Sequence, residues 1–179
     1  MSIPKEEHLP IAVRAYVCKA EQKPKTPLKK GKRKKRPSPS EWILIFDTET
    51  TTDASQKLRF GTYQVRKSDE LVEAGIFYNP ETLNKSEEAI LNEYAIKHQL
   101  TVMTVQEFIE KIFYGVGYQY RASIVGFNLP FDISRLAIDH APARGSRYNK
   151  IMRGGFTFKL SENPFHPRVQ IKHISSRDA

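Results

Sequence analysis

The sequence has very little cysteine and no long apolar run. Its 179 residues include one cysteine, Cys18, which excludes an intramolecular disulfide framework and a thiolate zinc cluster. No apolar stretch approaches the roughly 20 residues that cross a bilayer. Arg14 interrupts the most apolar N-terminal stretch, and no small-residue cleavage pattern follows it, which argues against a signal peptide. We therefore expect a soluble intracellular protein that does not act at a membrane.

Acidic residues are scarce near the N-terminus. The formal net charge is +9, but residues 21–40 hold nine bases and one acid, whereas residues 41–179 hold seventeen of each. Residues 21–40 also hold four prolines and almost nothing that could be buried. This composition predicts a disordered basic arm over residues 1–40 and a folded domain over residues 41–179. Basic residues displace counterions from nucleic acid, so the arm is expected to bind nucleic acid; the alternative is a solubilising arm.

The domain interleaves β-prone and helical segments, which predicts an α/β fold with a mixed sheet flanked by helices. The run Trp42–Phe46 is apolar throughout and predicts a strand that is buried on both faces. The other predicted strands are Leu58–Val65 and Leu71–Tyr78, which form a hairpin, then Ala122–Phe127, Phe156–Leu160 and Val169–Ile174. The predicted helices are Ser86–Gln99 with Ser86 as its N-cap, one that starts with the capping box Thr104–Glu107 and ends by Gly115–Gly117, and Phe131–His140.

Carboxylates follow two of the predicted strands. Asp47 and Glu49 come directly after the first strand, and an extended backbone places both on the same side. Two such acids repel each other at a strand end unless a hard divalent cation binds them, so they are candidate ligands of Mg²⁺ or Mn²⁺; the alternative is a pair of solvated acids. Asp132 lies in the first turn of a helix after the second buried strand. Ligands commonly bind at this end of the strands in α/β sheets.

These residues stand in two recognisable motifs. The segments Phe46-Asp47-Thr48-Glu49-Thr50 and Gly126-Phe127-Asn128-Leu129-Pro130-Phe131-Asp132 resemble the first two motifs of the 3′–5′ exonucleases with four acidic residues. That family belongs to the ribonuclease H-like superfamily and includes the proofreading domains of DNA polymerases. The resemblance covers about residues 41–178 and implies a ribonuclease H-like mixed sheet.

The resemblance also implies roles for individual residues. Asp47 and Glu49 would bind the catalytic metal ion, and Asp47 and Asp132 would hold a second ion about 4 Å away. The residues expected to position or contact the terminal nucleotide are Thr48, Asn128 and Phe131. The implied cofactor is Mg²⁺ or Mn²⁺, and the implied substrate is a single-stranded 3′ end of DNA or RNA. The expected location is the cytoplasm, at the nucleoid in a bacterium, or the nucleus in a eukaryote.

The third motif of that family, which supplies the fourth acid, has no clear counterpart. His173 and Asp178 have a suitable spacing, but His173 lies in a strand-like run rather than on a helix. We therefore expect a domain that is incomplete at its C-terminus. The alternative function is a catalytically impaired nuclease fold that binds nucleic acid through the basic arm and through residues 121–179, which hold ten bases and four acids.

Overall fold

The first apolar run forms the strand β1 (Trp42–Thr50) in the interior of a five-stranded sheet. A computed structural model describes residues 40–144 and 151–172 of the chain. The other strands of this sheet are β2 (Leu58–Lys67), β3 (Glu70–Tyr78), β4 (Thr101–Thr104) and β5 (Ser123–Val125). Their order is β4-β3-β2-β1-β5; β5 runs parallel to β1, whereas β2 is antiparallel to both β1 and β3. The predicted hairpin and the mixed sheet are confirmed.

Helix α1 (Lys85–His98) begins one residue before the predicted start, and its N-cap is Asn84 rather than Ser86. The Asn84 side chain accepts hydrogen bonds from the backbone N–H groups of Ser86 and Glu87. The Glu87 carboxylate in turn accepts from the Asn84 N–H, which completes a capping box. Asparagine caps as well as serine does, and only Asn84 has the extended backbone that a cap needs.

Helix α2 starts with the predicted capping box between Thr104 and Glu107. One α-helical turn (Val105–Glu107) continues as a π-helix (Phe108–Gln119), so the helix passes through Gly115 and Gly117 instead of ending there. Gly117 is buried against β5, where a Cβ would lie at an ordinary contact distance of 3.4 Å from Ile124 Cδ1. The prediction of a helix end at the glycines was therefore wrong.

Helix α3 (Leu129–Leu136) is shorter than predicted because the backbone becomes extended at Ala137. A second, antiparallel sheet follows, with the order β6-β7-β8. Its strands are β6 (Asp139–Arg144), β7 (Ile151–Lys159) and β8 (Val169–Lys172). Gly154 and Gly155 lie within β7 and do not form the predicted turn before it. The predicted strand at Val169 is present.

The main core lies between one face of the five-stranded sheet and helices α2 and α3. Leu44 and Phe46 of β1 are buried on this face against Phe108 and Phe113 of α2. On the opposite face Ile43 and Ile45 are only half-buried, so β1 is not fully buried on both faces as predicted. Helix α1 lies along that opposite face, beside β2 and β3. The candidate acids of β1, Asp47 and Glu49, are therefore exposed, whereas the alternate residues of the same strand are buried in the core.

Some predicted features fall outside the described residues. The basic arm over residues 1–40 is described only at Ser40, and neither His173 nor Asp178 is described. In the part of the chain that the structure describes, no helix has the length and apolar character needed to cross a membrane.

The capping box of α2 predicts a pH-dependent contribution to stability. Hydrogen bonds from Lys111 and Thr104 lower the pKa of Glu107 to about 2, from an ordinary value of 4.5. Because the folded state favours the ionised form, this contribution is complete above the ordinary pKa and disappears as the pH falls towards 2. Thermal unfolding of the wild type and Glu107→Gln from about pH 6 to about pH 3 should show a difference that shrinks with acidification. A difference independent of pH would contradict the ionic cap.

Candidate metal and nucleic-acid site

The C-terminal end of β1 presents successive side chains to opposite faces of the sheet. Thr48 is buried on the core face, whereas Asp47 and Glu49 are exposed on the other face. The two carboxylates therefore share one side, as the two-residue period of a strand predicts. A β-bulge lies next to them, where the pairing with β2 shifts between Glu49 and Thr50. Asp47 and Glu49 still pair in register with Thr62 and Phe60 of β2, so the two acids lie at the end of the regular ladder, just before the shift.

The turn between β5 and α3 lies directly against this end of β1. Strands β5 and β1 pair in parallel, with Val125 opposite Ile45. A Cβ at Gly126 would lie 2.8 Å from Leu129 Cδ2 and 3.0 Å from the carbonyl oxygen of Phe46. A side chain here would require the Leu129 side chain to move and would crowd the Phe46 carbonyl, so glycine makes the close approach of the second motif to the first easier.

An open groove of about 440 Å³ begins beside Asp47 on the exposed face of the sheet. The side chain of Phe127 lies at the same groove and is fully exposed. Most of the remaining lining is uncharged: Ile45, Thr62, Gln64, Ala74 and Leu100. A carboxylate thus lies next to a mostly apolar surface that carries an unpacked aromatic ring. Such a surface suits a ligand with a planar base and a charged group.

Asp132 is the buried acid of the site. Its side chain is 2% exposed, and its Oδ1 accepts a hydrogen bond of 2.6 Å from the hydroxyl of Thr48. Its other oxygen, Oδ2, has no hydrogen-bond partner among the described residues. Buried polar atoms are almost always paired, and a buried carboxylate with a single bond is costly. Oδ2 is therefore the atom of this site that most needs a further partner, such as a cation.

Asn128 and Phe131 have different environments. Asn128 is exposed at the N-cap of α3, and its side chain makes no capping hydrogen bond within the described part of the chain. Phe131 is half-buried under the guanidinium group of Arg135, 4.8 Å from the ring centre. Asn128 is thus accessible to a ligand, whereas one face of Phe131 is occupied. The proposed nucleotide contacts of both residues stay predictions.

Arg135 and Phe127 were not identified from the sequence. Arg135 Nη1 donates a hydrogen bond of 3.0 Å to the carbonyl oxygen of Gln56, so α3 is tied to the loop that follows β1. A single arginine on a polar helix face gives no sequence signal for such a contact. Phe127 lies within the second motif, but its exposure depends on the short length of β5 and the turn after it.

The loop after β1 is ordered by its own side chains. The hydroxyl and the backbone N–H of Ser55 both donate to Asp53 and lower the pKa of that carboxyl. The Lys57 N–H donates to Thr51 Oγ1 over 3.0 Å. This local turn holds Gln56 where Arg135 reaches it. The hydrogen bond from Arg135 to Gln56 therefore links α3 to the loop after β1, and no charged side chain of β1 takes part in it.

The three acids do not form one cluster. Within residues 40–144 and 151–172, no group of three or more His, Cys, Asp or Glu side chains could hold a metal ion together. Asp47 and Glu49 face one side of β1, whereas Asp132 contacts Thr48 on the other side. The metal site therefore stays a prediction.

No family model matches this chain, and neither does any curated protein or any solved structure.

Proposed function

We propose that this chain is a metal-dependent 3′–5′ exonuclease that hydrolyses the terminal phosphodiester bond of DNA or RNA. The observation that carries the proposal is the buried Asp132 carboxylate. One of its oxygens has no hydrogen-bond partner in the described part of the chain, and the other accepts a hydrogen bond from Thr48 on the strand that bears Asp47 and Glu49. A mixed sheet flanked by helices is compatible with the ribonuclease H-like fold that the two motifs imply. The adjoining groove provides room for a terminal nucleotide.

The donor groups fit Mg²⁺ or Mn²⁺. Mg²⁺ is usually held by one or two carboxylates, together with water and substrate phosphates, rather than by a closed cage of protein ligands. Asp47 and Glu49 would hold one ion, and Asp132 would contribute its free oxygen to a second. Under this proposal the substrate phosphate and water would complete the coordination of each ion.

The residues of the chain supply binding and orientation. The base of the terminal nucleotide would stack on the exposed ring of Phe127, as aromatic side chains do in proteins that bind single strands. Asn128 is exposed next to it and would donate a hydrogen bond to the sugar or the phosphate. When bound, the metal ions would activate the attacking water and neutralise the charge on the leaving 3′ oxygen. The hydrogen bond from Thr48 would hold the buried Asp132 carboxylate in one orientation.

The proposal predicts that Asp47→Ala inactivates the protein. Single-stranded DNA and RNA labelled at the 3′ end should release labelled mononucleotides with Mn²⁺, and removal of this carboxylate should slow the release on the order of 10³–10⁴-fold. Asp69→Ala is a matched control because it removes an exposed carboxylate from the β2–β3 turn. Chelation of the metal should abolish release by the wild type.

Two outcomes would contradict the exonuclease. Internal cleavage of the strand before loss of the 3′ label would indicate an endonuclease. Salt-sensitive binding by the wild type without any degradation would instead favour the nucleic-acid-binding module.

A further inference from the structure

A buried hydrogen bond joins the two motifs. Thr48 lies between the two exposed acids of β1, yet its own hydroxyl is buried and donates to Asp132 over 2.6 Å. The two residues are 84 positions apart in the chain. Both side chains are more than nine-tenths buried, so solvent does not compete for this bond.

We infer that Thr48 is a positioning residue that orients the Asp132 carboxylate for a metal ion. The inference rests on the proposed function, and it gives Thr48 a role different from contact with a nucleotide. A carboxylate held at Oδ1 can rotate little, so its unpartnered Oδ2 is directed to one place. Hydrogen-bond partners of this kind commonly contribute 10–100-fold to metal affinity.

The same bond couples the metal ligands mechanically. The backbone of Thr48 continues into Asp47 and Glu49, and its hydroxyl reaches Asp132 on α3. Gly126, between β5 and α3, also lies close to the Phe46 carbonyl of β1. Thr48 therefore fixes the position of Asp132 relative to the two exposed acids.

Three variants of the full chain test this role. Thr48→Val keeps the shape but removes the hydroxyl, whereas Thr48→Ser keeps the hydroxyl. Thr82→Val is the matched control, because Thr82 also donates a hydrogen bond, of 2.7 Å to the carbonyl oxygen of Leu58, away from the acids. The measurement is the affinity for Mn²⁺ alone, by electron paramagnetic resonance of free Mn²⁺, with folding checked by circular dichroism.

We expect Thr48→Val to weaken at least one Mn²⁺ site about 10–100-fold. Thr48→Ser and Thr82→Val should stay within about threefold of the wild type, because both keep the bond to Asp132. If Thr48→Val does not fold, Thr48→Ala replaces it, since a smaller side chain cannot clash. Unchanged affinity in a folded variant without the hydroxyl overturns the inference and leaves the exonuclease standing. A wild type that binds no Mn²⁺ overturns both.

Discussion

Phe108→Ala is expected to reduce the free energy of unfolding by about 3–5 kcal/mol. Phe108 is fully buried at the start of the π-helical part of α2. Its ring stacks on Phe77 with a centroid separation of 3.9 Å and contacts Tyr63 and Phe46 at 5.4 and 5.7 Å. Three strands of the main sheet thus meet on one side chain. Since domains are stable by only about 5–15 kcal/mol, this single change should bring the protein close to unfolding.

Urea unfolding followed by the fluorescence of Trp42 measures this effect. Trp42 is the only tryptophan of the chain and packs against Tyr120 at 5.2 Å, so its emission reports on the contact between β1 and the residue after α2. Phe165→Ala is the matched control: this phenylalanine is 87% exposed, and its removal should change the stability by less than about 0.5 kcal/mol. A loss below about 1 kcal/mol for Phe108→Ala would contradict the packing of α2 on the sheet.

Asp132→Asn should have opposite effects on activity and on stability. The amide keeps an oxygen that accepts the hydrogen bond from Thr48, but it removes a carboxylate that is buried with one unpartnered atom. The amide is uncharged and costs less to bury than an ionised carboxylate, and this gain should exceed the cost of its unpaired N–H groups, so the variant should be the more stable protein without metal. Loss of the metal ligand should lower exonuclease activity on the order of 10³–10⁴-fold.

Thermal unfolding with and without Mn²⁺ separates these two effects. Without metal, Asp132→Asn should unfold at a higher temperature than the wild type. Added Mn²⁺ should raise the unfolding temperature of the wild type more than that of the variant, because a ligand stabilises only the state that binds it. Asp139→Asn is the contrasting control, since Asp139 is exposed and paired with Arg168 at 2.9 Å, and its loss should not stabilise. Equal Mn²⁺ responses in both proteins would contradict a metal role for Asp132.

Secondary structure in the first half of the domain is largely predictable because its signals are short-range. The polar turn between two β-prone segments predicts the hairpin, and the spacing from Thr104 to Glu107 predicts the capping box. Errors occur where two local signals compete. Ser86 and Asn84 are both good caps, and the backbone decides for Asn84. Gly115 and Gly117 are helix-ending residues by propensity, yet the helix continues through both, with Phe113 and Tyr114 just before them buried in the core.

The second half of the domain is less predictable. Helix α3 ends at Leu136 although the apolar pattern continues, because the next residues pair as β6 with β7. The pairing of β6 depends on β7, which begins about a dozen positions further on, so the local spacing of apolar residues cannot predict it. Gly154 and Gly155 have the local signature of a turn, but they lie within β7 because that strand pairs with residues distant in sequence.

The sequence by itself determined the two acidic motifs, the shared side of Asp47 and Glu49, and the alternation of strands and helices. These follow from the two-residue period of a strand and from capping chemistry, which act over a few residues. Only the tertiary structure decided that Thr48 contacts Asp132, that one oxygen of this carboxylate has no partner among the described residues, and that Phe127 is exposed beside Asp47. The physical reason is distance along the chain. A bond across 84 residues forms only when β1, β5 and α3 have packed together.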